Sequence, residues 1–211
     1  LPRALSLGCW GIGHSDSWTR ILLRSARSHP RGSQVFPTFV GRQDRVERMF
    51  VLGIDPGLSR CGYGVVEQRG RRQRAVAAGV VRTSPSDNVP DRLAELQGEI
   101  RLLIDDFSPA VVAVERVLFQ TNVSTAMGVG QASGIVMAEA ITAGCKVVEY
   151  SPNEIKQAVA GDGSADKDQM EHMVRLLLGI SKPLRPVDAA DALGVALTYL
   201  AQHGVPEGMG A

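Results

Sequence analysis

Three cysteines in 211 residues, Cys9, Cys61 and Cys145, are too few and too scattered for a disulfide framework or a zinc site. A reducing compartment is the plain expectation. No apolar run approaches the roughly 20 residues a helix needs to cross a bilayer. The net charge is only +1, so the basic balance of a typical nucleic-acid binder is missing too. That small total hides an uneven distribution. Residues 1–48 carry eight arginines against three acids, a local net of +5, and residues 49–211 carry fifteen basic against nineteen acidic residues, a net of −4. Four acids singled out below equal that −4, and two divalent cations would neutralise them. Composition therefore neither requires nor excludes a polyanionic partner. No Ser, Cys or His arrangement reads as a nucleophile triad, and His172 reads as an ordinary helical side chain.

What is present is one α/β domain with extra sequence before it. Hydrophobic residues make up 44% and charged residues 21%, enough for a substantial core. Residues 1–48 are rich in Arg, Ser and Gly and show no sustained period. We expect them to form an N-terminal extension outside the fold, with a transit peptide or a basic arm as other readings. From Met49 the pattern is clear, and 49–211 is expected to be a single domain. Residues 50–55, 62–67 and 74–81 read as strands joined by Pro56-Gly57 and by a tip at Gly70. Residues 91–107 read as an amphipathic helix, 110–115 as a buried parallel strand and 123–143 as a helix rich in small residues. A strand at 146–150 and helices near 152–159, 166–178 and 187–202 complete the chain. This order predicts an open mixed sheet flanked by helices, with the 110–115 strand beside the first strand.

Ligand sites in such sheets lie at the carboxyl ends of adjacent strands. Asp55, in Gly53-Ile54-Asp55-Pro56-Gly57, and Glu115, closing Val111-Val112-Ala113-Val114, both stand there. Singly, the first also reads as a turn former and the second as the point where solvent begins. Asp188 and Asp191 lie three residues apart in Val187-Asp188-Ala189-Ala190-Asp191-Ala192-Leu193, one turn apart on one helix face. Their ordinary reading is helix capping and interaction with the positive helix end. Were all four acids to converge, they would repel and raise one another's pKa values unless cations sat among them. Magnesium takes oxygen ligands and keeps several waters, and a pair of such ions can drive in-line phosphodiester cleavage.

At these residues the chain resembles the bacterial RuvC family of crossover-junction (Holliday junction) endodeoxyribonucleases. Val51-Leu52-Gly53-Ile54-Asp55-Pro56-Gly57-Leu58 with Gly62-Tyr63-Gly64 is similar to that family's first motif, and Ala113-Val114-Glu115-Arg116-Val117 to its second. Asn122-Val123-Ser124-Thr125-Ala126-Met127-Gly128 with Gly130-Gln131-Ala132 resembles the helix that follows. Gly161-Asp162-Gly163-Ser164-Ala165-Asp166-Lys167 and Asp188-Ala189-Ala190-Asp191-Ala192-Leu193 complete the set, in order, over residues 49–203.

The resemblance implies an RNase H-like fold with a five-stranded mixed sheet. It implies a cytoplasmic homodimer that nicks four-way DNA junctions in pairs during recombination and repair. It assigns catalysis and metal binding to Asp55, Glu115, Asp188 and Asp191, with two Mg2+ ions per site and Mn2+ able to substitute. Lys156 and Lys167 become DNA contacts, although each also reads as a solvated helix charge. Many relatives carry a junction-stacking aromatic three residues after the Glu; here that residue is Leu118, and Phe119, one position on, is the candidate wedge if this loop is irregular. The RuvA–RuvB branch-migration complex is an implied partner. Gly130, Gly134 and Ala138, spaced for close backbone approach, read either as sheet packing or, from the resemblance, as dimer interface. Arg69, Arg71, Arg72 and Arg74 at the hairpin tip have no assigned role.

Three other functions compete. An ATPase of the actin–Hsp70 class shares the opening strand–Asp–Gly–turn–strand pattern but needs two such lobes. A non-catalytic junction binder gains nothing from burying four acids. An RNase H-like nuclease of RNA–DNA hybrids is separated from a junction enzyme only by the family motifs.

Overall fold

The structure is a computed structural model that describes residues 34–35, 48–116 and 123–203. Most of the segment 1–48, and Leu118 and Phe119, lie outside these residues. One sheet holds β1 (Gln34–Val35), β2 (Arg48–Asp55), β3 (Arg60–Arg69), β4 (Arg72–Arg82), β5 (Val111–Glu115) and β6 (Lys146–Tyr150), in the order β1-β4-β3-β2-β5-β6. The meander β2–β3–β4 is antiparallel, while β5 runs parallel to β2 and β6 parallel to β5. Gly70 supplies the positive φ of 59° that the β3–β4 tip requires. The five-stranded mixed sheet read from the sequence is β2 to β6.

The sixth strand narrows one expectation. Two residues of the segment expected outside the fold, Gln34 and Val35, pair with Ala78 and Ala77 on β4. The outer edge of β4 offers unpaired backbone groups, and any extended stretch of chain can satisfy them. β2 also begins at Arg48 rather than after it, because Arg69 stands opposite in the ladder.

Five helices cover the sheet: α1 (Val89–Phe107), α2 (Val123–Thr142), α3 (Pro152–Ala160), α4 (Lys167–Leu178) and α5 (Val187–His203). Successive strand residues point to opposite faces, and both central strands obey that rule. Leu52 and Ile54 of β2, with Val112 and Val114 of β5, pack against Leu96, Ile100 and Leu103 of α1 and Val136 of α2. Val51 and Ala113 face the other way, toward Ile155, Val174, Leu193 and Leu197 of α3 to α5. Continuing the alternation puts Asp55 and Glu115 on this second face. Each fully buried Leu or Val stabilises the fold by about 1.5–3 kcal/mol, so reversing the strand register would be prohibitive.

Three glycines then decide how close α5 comes. A Cβ at Gly53 would stand 2.1 Å from the Ala192 carbonyl oxygen, one at Gly62 2.4 Å from that of Asp188, and one at Gly64 2.7 Å from the Leu193 nitrogen. The backbone of α5 thus rests directly on β2 and β3. No side chain fits between them. This contact carries the first turns of α5, with Asp188 and Asp191, to the end of the sheet where Asp55 stands.

The small-residue stripe of α2 does not pack on the sheet. Gly130, Gly134 and Ala138 are exposed, and a Cβ at either glycine would meet nothing within 4 Å. Met127 and Ile141 on the same helix are 60% and 62% exposed.

Candidate active site

Asp55 and Glu115 end neighbouring parallel strands, one step beyond the Ile54↔Val114 pair. Asp191 joins them from α5, and these three acids line one pocket of about 270 Å³ with Pro152, Ile155, Lys156, Asp166, Lys167, Met170. The two lysines enter on helices whose starts are tightly capped. Ser151 and Glu154 form a reciprocal capping box at α3, and Asp166 and Gln169 form another at α4. Lys167 is therefore the first residue of its helix. Its exposed Nζ stands 3.6 Å from Asp191 Oδ2.

Electrostatics separate the acids into two kinds. Burial, then the charges of Glu115, Asp191 and Asp188, push the Asp55 carboxyl up to about 7, against a weaker opposing pull from Lys167. Burial likewise raises Glu115, with Asp191 adding to it and Lys167 and Lys156 opposing. Asp191 is raised by burial despite Lys167. Burial is the main reason that these three groups resist ionisation, and the nearby lysines only partly offset it.

Asp188 is different. It stands in the first turn of α5 but does not line the pocket. Arg60, at the start of β3, grips it with a two-pronged contact: Nε donates to Oδ1 at 3.3 Å and Nη2 to Oδ2. That hydrogen bonding holds its carboxyl below the usual range, the opposite of the rise expected for all four acids. Three of the four predicted acids are thus gathered and the fourth is engaged beside them. Among the described residues no three His, Cys, Asp or Glu side chains form a ready-made metal cage. The donor chemistry nevertheless fits a hard divalent cation: carboxylate oxygens, half-buried, with their charge only partly offset by Lys156 and Lys167.

Two neighbours were not evident from the sequence as site residues. Asp166 forms part of the pocket wall while capping α4. Arg60 lies 128 residues from Asp188, and an arginine at the exposed first position of a strand carries no local sign of such a partner. Phe119 lies outside the described residues.

Sheet order, the paired acids at adjacent strand ends and the third acid on the last helix define an RNase H-like α/β protein. The family model described as crossover junction endodeoxyribonuclease RuvC matches residues 51–199, and the chain belongs to that family. It is 49% identical over 155 residues to the crossover junction endodeoxyribonuclease RuvC of Pseudarthrobacter chlorophenolicus, covering 73% of this chain and 81% of that one. The RuvC of Salinispora arenicola is 50% identical, with 74% of this chain and 90% of the relative covered. Among solved structures, Thermus thermophilus RuvC in complex with a Holliday junction substrate matches at 39% identity and a TM-score of 0.70, over 73% of this chain and 94% of that chain.

Proposed function

We propose that this protein resolves four-way DNA junctions by paired, metal-dependent phosphodiester nicks, with Asp55, Glu115, Asp188 and Asp191 as its catalytic acids. The observation that carries this reading is the pocket itself: three half-buried carboxylates on converging elements, each kept from ionising by burial that the nearby lysines only partly offset. Two Mg2+ ions, or Mn2+ in their place, would supply positive charge when bound, together with the polarisation needed for in-line attack of water on a phosphodiester.

The protein's own groups do the rest. Asp55 and Glu115, fixed at strand ends, offer oxygens from a rigid floor, and Asp191 closes the site from α5. Their raised pKa values mean that protons compete for the same oxygens, so occupation of the site strengthens as pH rises through about 7 for Asp55. Lys156 and Lys167 stand on the open side, where a phosphate backbone would replace Asp191 as the partner of Lys167. A second copy of the chain is the occupant proposed for the exposed Met127–Ile141 face of α2, whose small residues permit close helix approach. That arrangement supplies two sites for two nicks. Such a nuclease of chromosomal junctions would work in the cytoplasm, with the RuvA–RuvB complex as a candidate partner, and most of residues 1–48 would stand apart from the nuclease domain.

The decisive experiment is cleavage of a synthetic four-way junction in magnesium by the wild-type chain and by Asp55→Asn. The expected result is symmetric nicking by the former, and binding without cutting by the latter. Equal cutting by both would remove Asp55 from the mechanism.

A further inference from the structure

Arg60 opens β3 two residues before Gly62, the position whose missing side chain lets the Asp188 carbonyl approach. Its guanidinium faces Asp188 in the planar, two-pronged manner that suits a carboxylate or a phosphate equally well. The backbone beneath it is braced. Arg92 donates through Nη2 to Ser59 Oγ at 2.5 Å and through Nε to Thr83 Oγ1 at 3.0 Å, and Thr83 Oγ1 donates to the Leu58 carbonyl at 2.6 Å. The Arg60 side chain itself is 43% exposed. It can leave Asp188 by rotating into solvent while the turn stays in place.

Charge gives this contact a purpose. Asp188 sits beside three acids whose charge Lys167 only partly offsets, and an unpaired carboxylate there would add to their repulsion. Arg60 offsets part of that repulsion by pairing with Asp188, which lies beside the pocket and not in its wall. We infer that Arg60 is a built-in stand-in for the cation at Asp188: it occupies this carboxylate in the ion-free enzyme, yields it when a divalent ion enters, and then turns its freed guanidinium to a phosphate of the DNA strand. Ion loading and DNA binding are thereby coupled through one side chain. Arg60 is in this sense a positioning residue for Asp188, and the inference rests on the four-acid reading above.

The test uses the full chain and readouts other than cleavage. Thermal unfolding is followed against MgCl2 for wild type, Arg60→Lys and Arg60→Gln without DNA. Loss of a partly exposed competing ion pair should lower the half-saturating magnesium concentration of Arg60→Gln by about three- to ten-fold, with Arg60→Lys between. Junction affinity is then measured by fluorescence anisotropy in EDTA and in calcium. Arg60→Gln should weaken binding several-fold in calcium and by less than about two-fold in EDTA, where the wild-type guanidinium is still held by Asp188. An unchanged or higher half-saturating magnesium concentration overturns the inference, as does an equal loss of DNA affinity with and without calcium. Asp191→Asn separates the two levels: if magnesium stabilises it as well as wild type, the four-acid reading fails and this inference falls with it.

Discussion

Acids lie at or beside both ends of the β2–β3 ladder, and the two ends treat them in opposite ways. At the far end Glu67, 5% exposed and opposite Phe50, is ion-paired to Arg74 and to Arg48, the latter at 3.7 Å. Glu139 on α2 repeats the pattern, held below the usual carboxylate range by hydrogen bonds from Arg101 and then Gln97. At the near end Asp55, Glu115 and Asp191 have one another and a loosely placed Lys167. Burial of an acid therefore says little by itself. What distinguishes the site is partial burial with incomplete neutralisation, a condition a fold tolerates where something else supplies the charge.

The largest test of that contrast is cleavage. Asp55→Asn should lower junction cleavage on the order of a thousandfold or more, whereas Glu67→Gln should stay within about twofold of wild type. Comparable losses would mean that the two ends do not differ in function. Stability should separate them next, by sign. A carboxyl raised from 3.8 to about 7 favours the folded state while protonated, and that advantage disappears as pH rises through the folded value. In EDTA the wild-type protein should lose up to about 4 kcal/mol between about pH 4 and pH 8 through this group, and Asp55→Asn should flatten that part of the profile. A metal-free stability curve that is identical for both proteins would contradict the crowding of charge at the site.

A smaller effect is expected at the neutralised end. Arg74→Met should destabilise the fold by about 1–2 kcal/mol, because Arg48 remains to share Glu67, and cleavage should persist. Smallest should be the change that Glu139→Gln makes to the magnesium response. Its melting temperature should rise with added ion as the wild-type value does, since this acid is satisfied by protein groups; loss of that rise would extend the ion-sensitive region across to the α1–α2 face.

Much of this was legible along the chain. Alternation in Val51–Asp55 and Val111–Glu115 already specified that each acid shares a face with the residues two and four positions before it. The helices that carry Lys156 and Lys167 were legible near 152–159 and 166–178, and the capping boxes Ser151–Glu154 and Asp166–Gln169 set their starts in the structure. Other features were hidden because their cause is distant. The exposed stripe of α2 has the same spacing whether it faces a sheet or solvent. β1 has too few residues for any period to register, and only the open edge of β4 makes it a strand.

Four carboxylates at strand ends and on one helix face, with the apolar periods that bury their flanks, are properties of the sequence alone. They follow from local geometry, since two-residue and 3.6-residue repeats fix direction without reference to the rest of the chain. That Asp191 reaches Asp55 while Asp188 is taken by Arg60 was decided by tertiary structure. It depends on α5 lying against Gly53, Gly62 and Gly64, a contact between segments more than 120 residues apart. Coulomb energy depends on distance through space, so which acid is paired and which left wanting a cation is settled only once those backbones touch.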